Sequence, residues 1–523
     1  MGIVDVAKTL VEVPGLLKLK KGLAPRPLDT PDCLGARVEA NAANLGTNNA
    51  IIFEGQQVTW AEFNALANRY ANFFVENGVN RGDTISIIME NRIEFLALIA
   101  GLSKIGVTAA LINTNLRGRP LTHCISVTES RKCVVGAELA DAVAEVTGEL
   151  NLQTGADYFV VPDGTNAPFN GDGWATDLQQ ASADSSPANP AATAQTTLGE
   201  TALYIFTSGT TGLPKAAVLS NRRFLMSCDL SAKAGLKCTP KDRLYLCLPL
   251  YHGTGLMIGA GAAIAAGSSM FIRRKFSARS FLPEIREHGC TCLVYIGELC
   301  RYLTNSEAGP DDHNSPLKRM IGNGLRPDVW TDFKQRYGVK RICEFYGSSE
   351  GNVAFVNLLN KDCTVGMTSA PVSLVQYDVH NDELVRDNDG YCIPVSPGEP
   401  GLLLGKITPD SVFEGYTDAE ATEKKVLRDA LEKGDAWFNT GDLMRTVDVG
   451  YTLGYEHYQF VDRVGDTFRW KSENVSTNEV GEIINGFPQV KFCNIYGVEI
   501  PGADGKAGMA SINLADDVTA LDL

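Results

Sequence analysis

Four short segments hold the side chains able to do chemistry. In "FTSGTTGLPK", Phe206 to Lys215, the hydroxyls of Thr207, Ser208, Thr210 and Thr211 stand beside Gly209 and Gly212, and one cation, Lys215, closes the run. Hydroxyls and backbone amides in such a set can close around a polyphosphate while the ammonium offsets its charge. The same composition also makes a plain hairpin turn with no ligand. A nucleotide-kinase phosphate loop is excluded, because that loop needs G-x-x-x-x-G-K-[S/T] ahead of a helix. Here the glycine spacing differs, Ala216 stands where the metal-binding hydroxyl belongs, and the following "KAAVLS" reads as a strand.

In "EFYGSSEGN" (344–352), Tyr346 beside Gly347 offers a flat face to a base, and Ser348 and Ser349 could reach a phosphate. Glu350 is either a solvated loop acid or a ligand for Mg²⁺, an ion that favours carboxylate oxygens together with substrate phosphates. "WFNTGDL" (437–443) presents Asp442 after Thr440-Gly441, a carboxylate on a tight turn suited to two hydrogen bonds from ribose hydroxyls. "FVDRVGDTFRWKSENVSTNEV" (460–480) carries Arg463 and the compact pair Gly465-Asp466, which could serve as a hinge. No Ser/His/Asp or Cys/His signature of a protein nucleophile stands out. His123, His288, His313, His380 and His457 are therefore read as surface or structural residues.

These segments must be positioned by a large scaffold. "IIFEGQQVTW" reads as a hairpin turning at Glu54-Gly55, and Thr59 with Glu62 forms a capping box that starts a helix to about Val75, ended by Asn77-Gly78. The apolar run "TISIIM" (84–89), the helical "NRIEFLALIAGLSKIG" (91–106) and the run "VTAALIN" (107–113) follow as strand, helix, strand, the alternation of a parallel sheet covered on both faces. Residues 163–198, dense in Ala, Ser, Pro, Asn and Asp, read as a linker or a surface excursion. "ALYIF" (202–206) and "KAAVLS" (215–220) are strands joined by the hydroxyl-rich loop, and "KRIC" (340–343) is a strand leading to Tyr346. Gly255 to Ile272 is almost uncharged but rich in Gly and Ala, which suits a buried helix and strand better than a membrane span.

At 523 residues the chain exceeds a single core, and 44% hydrophobic with 21% charged residues is ordinary for a globular protein. A formal charge of −15 argues against a nucleic-acid partner, so a phosphate ligand must be held by local groups. The 13 cysteines show no C-x-x-C or metal-ligand spacing and read as small buried hydrophobes in a reducing cytosol. The N-terminal "MGIVDVAKTLVEVPGLLKLKKGL" suits neither a signal peptide nor a spanning helix. It reads as a surface helix packed on its own domain or, through its apolar residues with Lys18, Lys20 and Lys21, as one lying on a membrane. Oligomeric state is not legible.

Together "YIFTSGTTGLPKAAVLS", "YGSSEGN", "NTGDL" and "DRVGDTFRWKSENVSTNEV" resemble the adenylate-forming superfamily of acyl-CoA synthetases. The last of these, with "YIGELCRYL" (295–303) and "GNGLRPDVW" (322–330), is similar to its fatty acid transport protein and very-long-chain acyl-CoA synthetase branch. The resemblance runs from about residue 30 to the end. It implies an α/β fold: a large N-terminal AMP- and acyl-binding domain (1–463) of parallel-sheet subdomains with a small barrel-like part, then a mobile α+β C-terminal domain (464–523), of which only the opening is present.

The implied reaction has two steps: a fatty acid and ATP give acyl-AMP and pyrophosphate, then the thiol of coenzyme A displaces AMP. Thr207 to Lys215 would hold the β- and γ-phosphates, Tyr346 and Gly347 would flank adenine, and Ser349 would contact the α-phosphate. Glu350 would hold Mg²⁺, and Asp442 and Arg463 would bind ribose. Tyr251 and His252 in "LPLYHGTG" match the stretch near the acyl pocket, and Gly322, Asn323 and Gly324 would line the adenine and acyl side.

Two departures accompany the match. The family's late lysine, carried by a "GTFK"-like segment, has no counterpart before Leu523, and loss of one transition-state donor costs on the order of 10²–10³ in rate. Ser472 replaces a glycine where backbone passes the pantetheine arm, and its side chain would narrow that tunnel. The alternatives are a relative that binds nucleotide or acyl chains without turnover, acting in uptake or regulation, and a ligase for another acid such as carnitine, a bile acid or an aryl acid.

Overall fold

The Glu54-Gly55 turn joins Asn49–Phe53 to Gln56–Thr59 as an antiparallel hairpin, with φ of 45° and 82° at the two turn residues. At its end the helix Trp60–Glu76 begins on the expected capping box: the Thr59 hydroxyl accepts the Glu62 N–H, and the Glu62 carboxylate accepts the Thr59 N–H at 2.8 Å. Such a cap stabilises a helix by about 1 kcal/mol. Trp60, Phe63, Ala67, Tyr70, Ala71 and Phe74, repeating every three or four residues, bury one face. The helix Ile93–Lys104 packs against it so closely that a Cβ on Gly101 would lie 2.5 Å from the Ala67 carbonyl oxygen. The computed structural model describes residues 3–22, 26–164, 166–207, 213–347, 351–379, 381, 383–409, 411–464, 468–470, 473–475, 477–485, 487, 489–500, 506–515 and 518.

Three sheets carry the site. The first has seven strands in the order Thr176–Asp177, Tyr158–Val161, Lys132–Gly136, Thr84–Ile88, Thr108–Leu111, Thr201–Thr207, Lys215–Ser220, parallel except for the final pair. The second has eight: Ala354–Val356, Arg341–Gly347, Arg319–Asn323, Cys292–Ile296, Arg243–Leu246, Ser269–Ile272, Asn49–Phe53 and Gln56–Thr59, parallel within and antiparallel at both edges. One continuous apolar core, from Ile51 and Phe95 to Leu293 and Ile321, serves both sheets. The third is a five-stranded antiparallel sheet in which the long strand Ala436–Val447 pairs with Gly401–Lys406, Val426–Arg428 and His457–Arg463. Beyond it come a hairpin (Phe468–Trp470, Glu473–Val475), the helix Thr477–Asn485 and a second hairpin (Val490–Glu499, Lys506–Leu514). The Asp462 carboxylate accepts the Thr477 N–H at 2.8 Å and so ties this last part to the third sheet.

The stretch 163–198 is a surface excursion held to the body. Carbonyl oxygens of Ser186, Pro187 and Ala188 accept from the Asn72 and Asn68 amides, and the fully buried Lys104 ammonium bonds Asn64, Asn68 and Glu39. Gly255 to Ile272 forms buried helical turns (Thr254–Ala260, Gly261–Ala266) and the strand Ser269–Ile272. Among the described residues no helix is long and apolar enough to cross a membrane.

Candidate active site

The hydroxyl-rich loop hangs from the edge of the first sheet. Thr207 and Lys215 are directly paired partners at the open end of their antiparallel ladder, so the strands fix both ends of the loop. The His123 ring nitrogen lies 3.0 Å from the Pro214 carbonyl oxygen, which gives that histidine a structural role at the loop base. The Lys215 ammonium sits 5.6 Å above the Tyr416 ring. Ser208, Gly209, Thr210, Thr211 and Gly212 lie outside the described residues.

Tyr346 and Gly347 end the strand Arg341–Gly347, whose apolar residues drive it through the second sheet. The Tyr346 ring packs edge-on to Phe355 and, 6.4 Å away, nearly parallel to Phe460 of the third sheet. Its hydroxyl donates to Asp442 Oδ2 at 2.5 Å. Asp442 is also the cross-strand partner of Arg463, whose Nε lies 3.8 Å from Oδ1. The carboxylate is 15% exposed and the guanidinium 68%, so the acid is held in place while the arginine remains open to a ligand.

The expected tight turn at Asp442 is corrected by the structure: the residue lies within the strand Ala436–Val447, not at its end. Gly441, at φ 77°, takes a conformation L side chains avoid, and the register slips beside it. Asn439 Oδ1 accepts the Gly441 N–H and the Thr440 hydroxyl accepts the Asp442 N–H, which stabilises a kink inside the strand. A bulge therefore aims the carboxylate.

A cavity of about 800 Å³ opens between the sheets. Thr207, Tyr346, Gly347 and Arg463 line it together with the charged Arg222, Arg223 and Asp229 and the apolar Ile205, Leu225, Met257, Ile258 and Ile321. His252 lines it with its side chain open to solvent, and desolvation by the surrounding wall lowers the imidazole pKa; the Tyr251 ring centre lies 4.5 Å from it, its own pKa raised by burial. Tyr251, Gly322, Asn323 and Gly324 are not wall residues. Asn323 accepts a hydrogen bond from the Thr254 hydroxyl (3.1 Å), and Thr254 and Ile321 form the wall in their place.

Two acids escaped the sequence reading. Glu414, a wall residue, accepts both the N–H and the hydroxyl of Ser220, at 3.0 and 2.7 Å. Glu344 is buried in the second sheet one residue before the wall residue Phe345, accepts the Leu325 N–H at 2.9 Å and the Tyr295 hydroxyl, and burial pushes its pKa up to about 8. The available signal was one carboxylate inside the otherwise uncharged run "ICEFYG" (342–347). Ser349, Glu350, Gly465, Asp466 and Ser472 lie outside the described residues. Among the described residues no cluster of three or more His, Cys, Asp or Glu could hold a metal ion.

Residues 38–417 match the family described as AMP-binding enzyme. The chain is 37% identical over 517 residues to the medium/long-chain-fatty-acid–CoA ligase FadD6 of Mycobacterium tuberculosis, covering 98% of this chain and 83% of the relative. The chain belongs to the AMP-binding enzyme family. It is also similar to long-chain fatty acid transport protein 2 of Rattus norvegicus, 39% identical over 477 residues, covering 89% of this chain and 75% of that one. Among solved structures, an anthranilate CoA ligase, AuaEII, in complex with anthranoyl-AMP superposes with a TM-score of 0.77 at 19% identity, covering 95% of this chain and 89% of that one. The fold is thus the adenylate-forming α/β fold. Enzymes of this family use ATP, which agrees with a site built from hydroxyls, an aromatic face and a buried carboxylate.

Proposed function

We propose that this protein is an AMP-forming ligase that activates long- or very-long-chain fatty acids, first as acyl-AMP and then as acyl-CoA. The observation that carries the reading is the cavity itself: one wall brings apolar Ile205, Met257 and Ile321 together with Thr207, Tyr346 and Arg463, and the Tyr346 hydroxyl holds Asp442. Such a shape accommodates a hydrocarbon tail with its carboxylate beside a nucleotide. FadD6 is named for medium- and long-chain fatty acids and the rat transport protein for long-chain ones.

In the first step a carboxylate oxygen attacks the α-phosphorus and pyrophosphate leaves. The hydroxyls of the 207–215 loop with Lys215 hold the leaving β- and γ-phosphates, and Ser349 contacts the α-phosphate. Asp442 accepts from the ribose hydroxyls, fixed in orientation by the Tyr346 hydroxyl, and Arg463 closes over the sugar. Tyr346 and Gly347 flank the adenine. Mg²⁺ at Glu350, when bound, spreads phosphate charge. In the second step the coenzyme A sulfur attacks the acyl carbonyl and AMP leaves, with residues 464–523 turning about Gly465-Asp466 to expose the site and the pantetheine arm passing Ser472. The reaction takes place on the cytoplasmic side, where the enzyme meets its apolar substrate at a membrane.

Pyrophosphate release with ATP, Mg²⁺ and a panel of acids from medium to very long chain, plus carnitine, bile and aryl acids, tests this reading with and without coenzyme A. Acyl-AMP from the long acids is expected; none from any acid at saturating ATP refutes it. Asp442→Ala weakens ATP binding strongly, and an unchanged ATP affinity sinks the ribose assignment.

A further inference from the structure

Of the 13 cysteines, Cys238 and Cys363 are partly exposed and the others are buried. The Cys363 thiol faces the Pro327 carbonyl oxygen, whereas Cys238 Sγ lies 3.7 Å from Sγ of Cys292, a contact in which either thiol can donate. The pair joins two segments that reach the cavity wall. Cys292 opens the strand Cys292–Ile296, whose last residue lines the cavity, and Cys238 follows the helical turn Ser231–Gly235, whose first residue lines it.

The second sheet grips the Cys238 segment through carbonyl oxygens. Arg341 donates to those of Ala234 and Gly235 at 2.9 and 2.7 Å, and Arg319 to that of Lys237 at 2.6 Å, while the Ala232 carbonyl accepts the Cys238 N–H at 2.8 Å. A Cβ on Gly235 would lie 2.4 Å from the side chain of Ile321, another wall residue, so the turn is pressed against the sheet. The backbone thus fixes where each sulfur stands.

The surroundings favour a thiolate. Arg319, paired with Asp242, and the Thr291 hydroxyl, 3.7 Å from Cys292 Sγ, flank the pair. The hydrogen bond from Cys238 and the Arg319 charge hold the Cys292 pKa below the ordinary thiol value, against burial and Asp242, and the same bond pushes Cys238 up. Ionisation therefore leaves one proton between two sulfurs, and its transfer to Cys292 puts the anion on the partly exposed Cys238. Reactive thiols occupy such electropositive, partly open places, and inert structural ones are enclosed in apolar surroundings.

We propose that Cys238 and Cys292 are a peroxide-reactive dithiol whose oxidation to a disulfide ties the segment 231–238 to the strand Cys292–Ile296 and so restrains the cavity wall. The Cys238 sulfur attacks a peroxide oxygen, the O–O bond breaks, and the departing alkoxide or hydroxide takes up the proton released by the pair, which leaves a sulfenic acid. The Cys292 sulfur attacks that sulfur, the S–O bond breaks, and hydroxide leaves with the Cys292 proton as water. Two electrons pass from the sulfurs to the peroxide, and the 3.7 Å gap closes to a bond of about 2.0 Å. The effect on acid handling rests on the proposed function; the disulfide does not, and peptide masses read it without ATP or acid.

The full chain is treated with hydrogen peroxide, its free thiols are alkylated, and tryptic peptides are weighed with and without dithiothreitol. Alkylation is expected to be lost at Cys238 and Cys292 together, in one linked pair of peptides that dithiothreitol separates. Cys292→Ser removes the link and leaves Cys238 to advance to sulfinic acid, with tryptophan fluorescence unchanged. The proposal is overturned if both thiols stay alkylated at a peroxide dose that oxidises Cys363, if Cys238 overoxidises in the wild type without a link, or if links scatter among the buried cysteines, the mark of unfolding. Pyrophosphate release then reads the restraint: oxidation lowers kcat/KM for long acids relative to short ones, and dithiothreitol restores it. Equal values in the two forms overturn the restraint, whereas no release from either form counts against the proposed function and leaves the peptide masses to decide the dithiol.

Discussion

Replacing Glu344 with Gln flattens the pH dependence of stability. In the folded protein this carboxyl is fully enclosed, with the Leu325 N–H and the Tyr295 hydroxyl as partners, and its pKa is about 8 against an ordinary 4.5. The raised value means that the folded state keeps a proton the unfolded chain releases. The group's contribution to stability is therefore complete below pH 4.5 and declines as pH rises toward 8, beyond which no more is lost. A gap of roughly 3.5 pH units at about 1.4 kcal/mol per unit makes the total decline on the order of 5 kcal/mol, and about 3 kcal/mol of it has occurred by neutral pH.

Glu344→Gln keeps the shape and the acceptor for Leu325 and cannot ionise. Any mismatch of its amide with Tyr295 costs about 1–2 kcal/mol, but that cost is independent of pH. Urea unfolding followed by tryptophan fluorescence from pH ~5 to ~8.5 separates the two effects, since only the slope reports the proton. The variant is expected to lose less stability across that range and to overtake the wild type at the alkaline end. Parallel profiles for the two proteins would refute the assignment of a buried, proton-retaining carboxyl.

Other outcomes follow from single contacts. Tyr346→Phe removes the hydroxyl that fixes Asp442 and raises the KM for ATP roughly fivefold, about 1 kcal/mol, with unfolding unchanged. Met257→Trp fills part of the apolar cavity and lowers kcat/KM for the longest acids about 10–200-fold relative to a short one. Lys104→Met strips a buried ammonium from Asn64, Asn68 and Glu39 and destabilises the fold by about 2–4 kcal/mol, read as a lowered urea midpoint.

What the sequence made legible is local. The Thr59–Glu62 cap, the turn at Glu54-Gly55 and the strand pair around the hydroxyl-rich loop are set by neighbours a few residues apart, and each forms as expected. The contact between Tyr346 and Asp442 joins residues 96 positions apart on two different sheets, so no spacing rule shows it. Asp442 is aimed by a bulge because the alternative pairing at Asn439 and Thr440 is made by side chains, a choice that a turn-like string of small residues leaves undetermined. Glu344 carries no local signal, because its enclosure comes from residues distant in sequence, the Tyr295 hydroxyl and the Leu325 N–H. The N-terminal helix reads as packed on its own domain or as lying on a membrane; Asp5, Thr9 and Glu12 hold it to the body through residues hundreds of positions away, which no local pattern shows.

The pairing of Thr207 with Lys215 has a consequence for how this protein can diversify. Register along Thr201–Thr207 and Lys215–Ser220 is fixed by buried residues such as Leu203, Ile205, Ala217 and Leu219, so the scaffold does not depend on the identity of the residues that span the gap. Substitutions within the span are exposed to selection for ligand handling with little penalty in folding, which makes the loop an evolvable module on an insensitive frame.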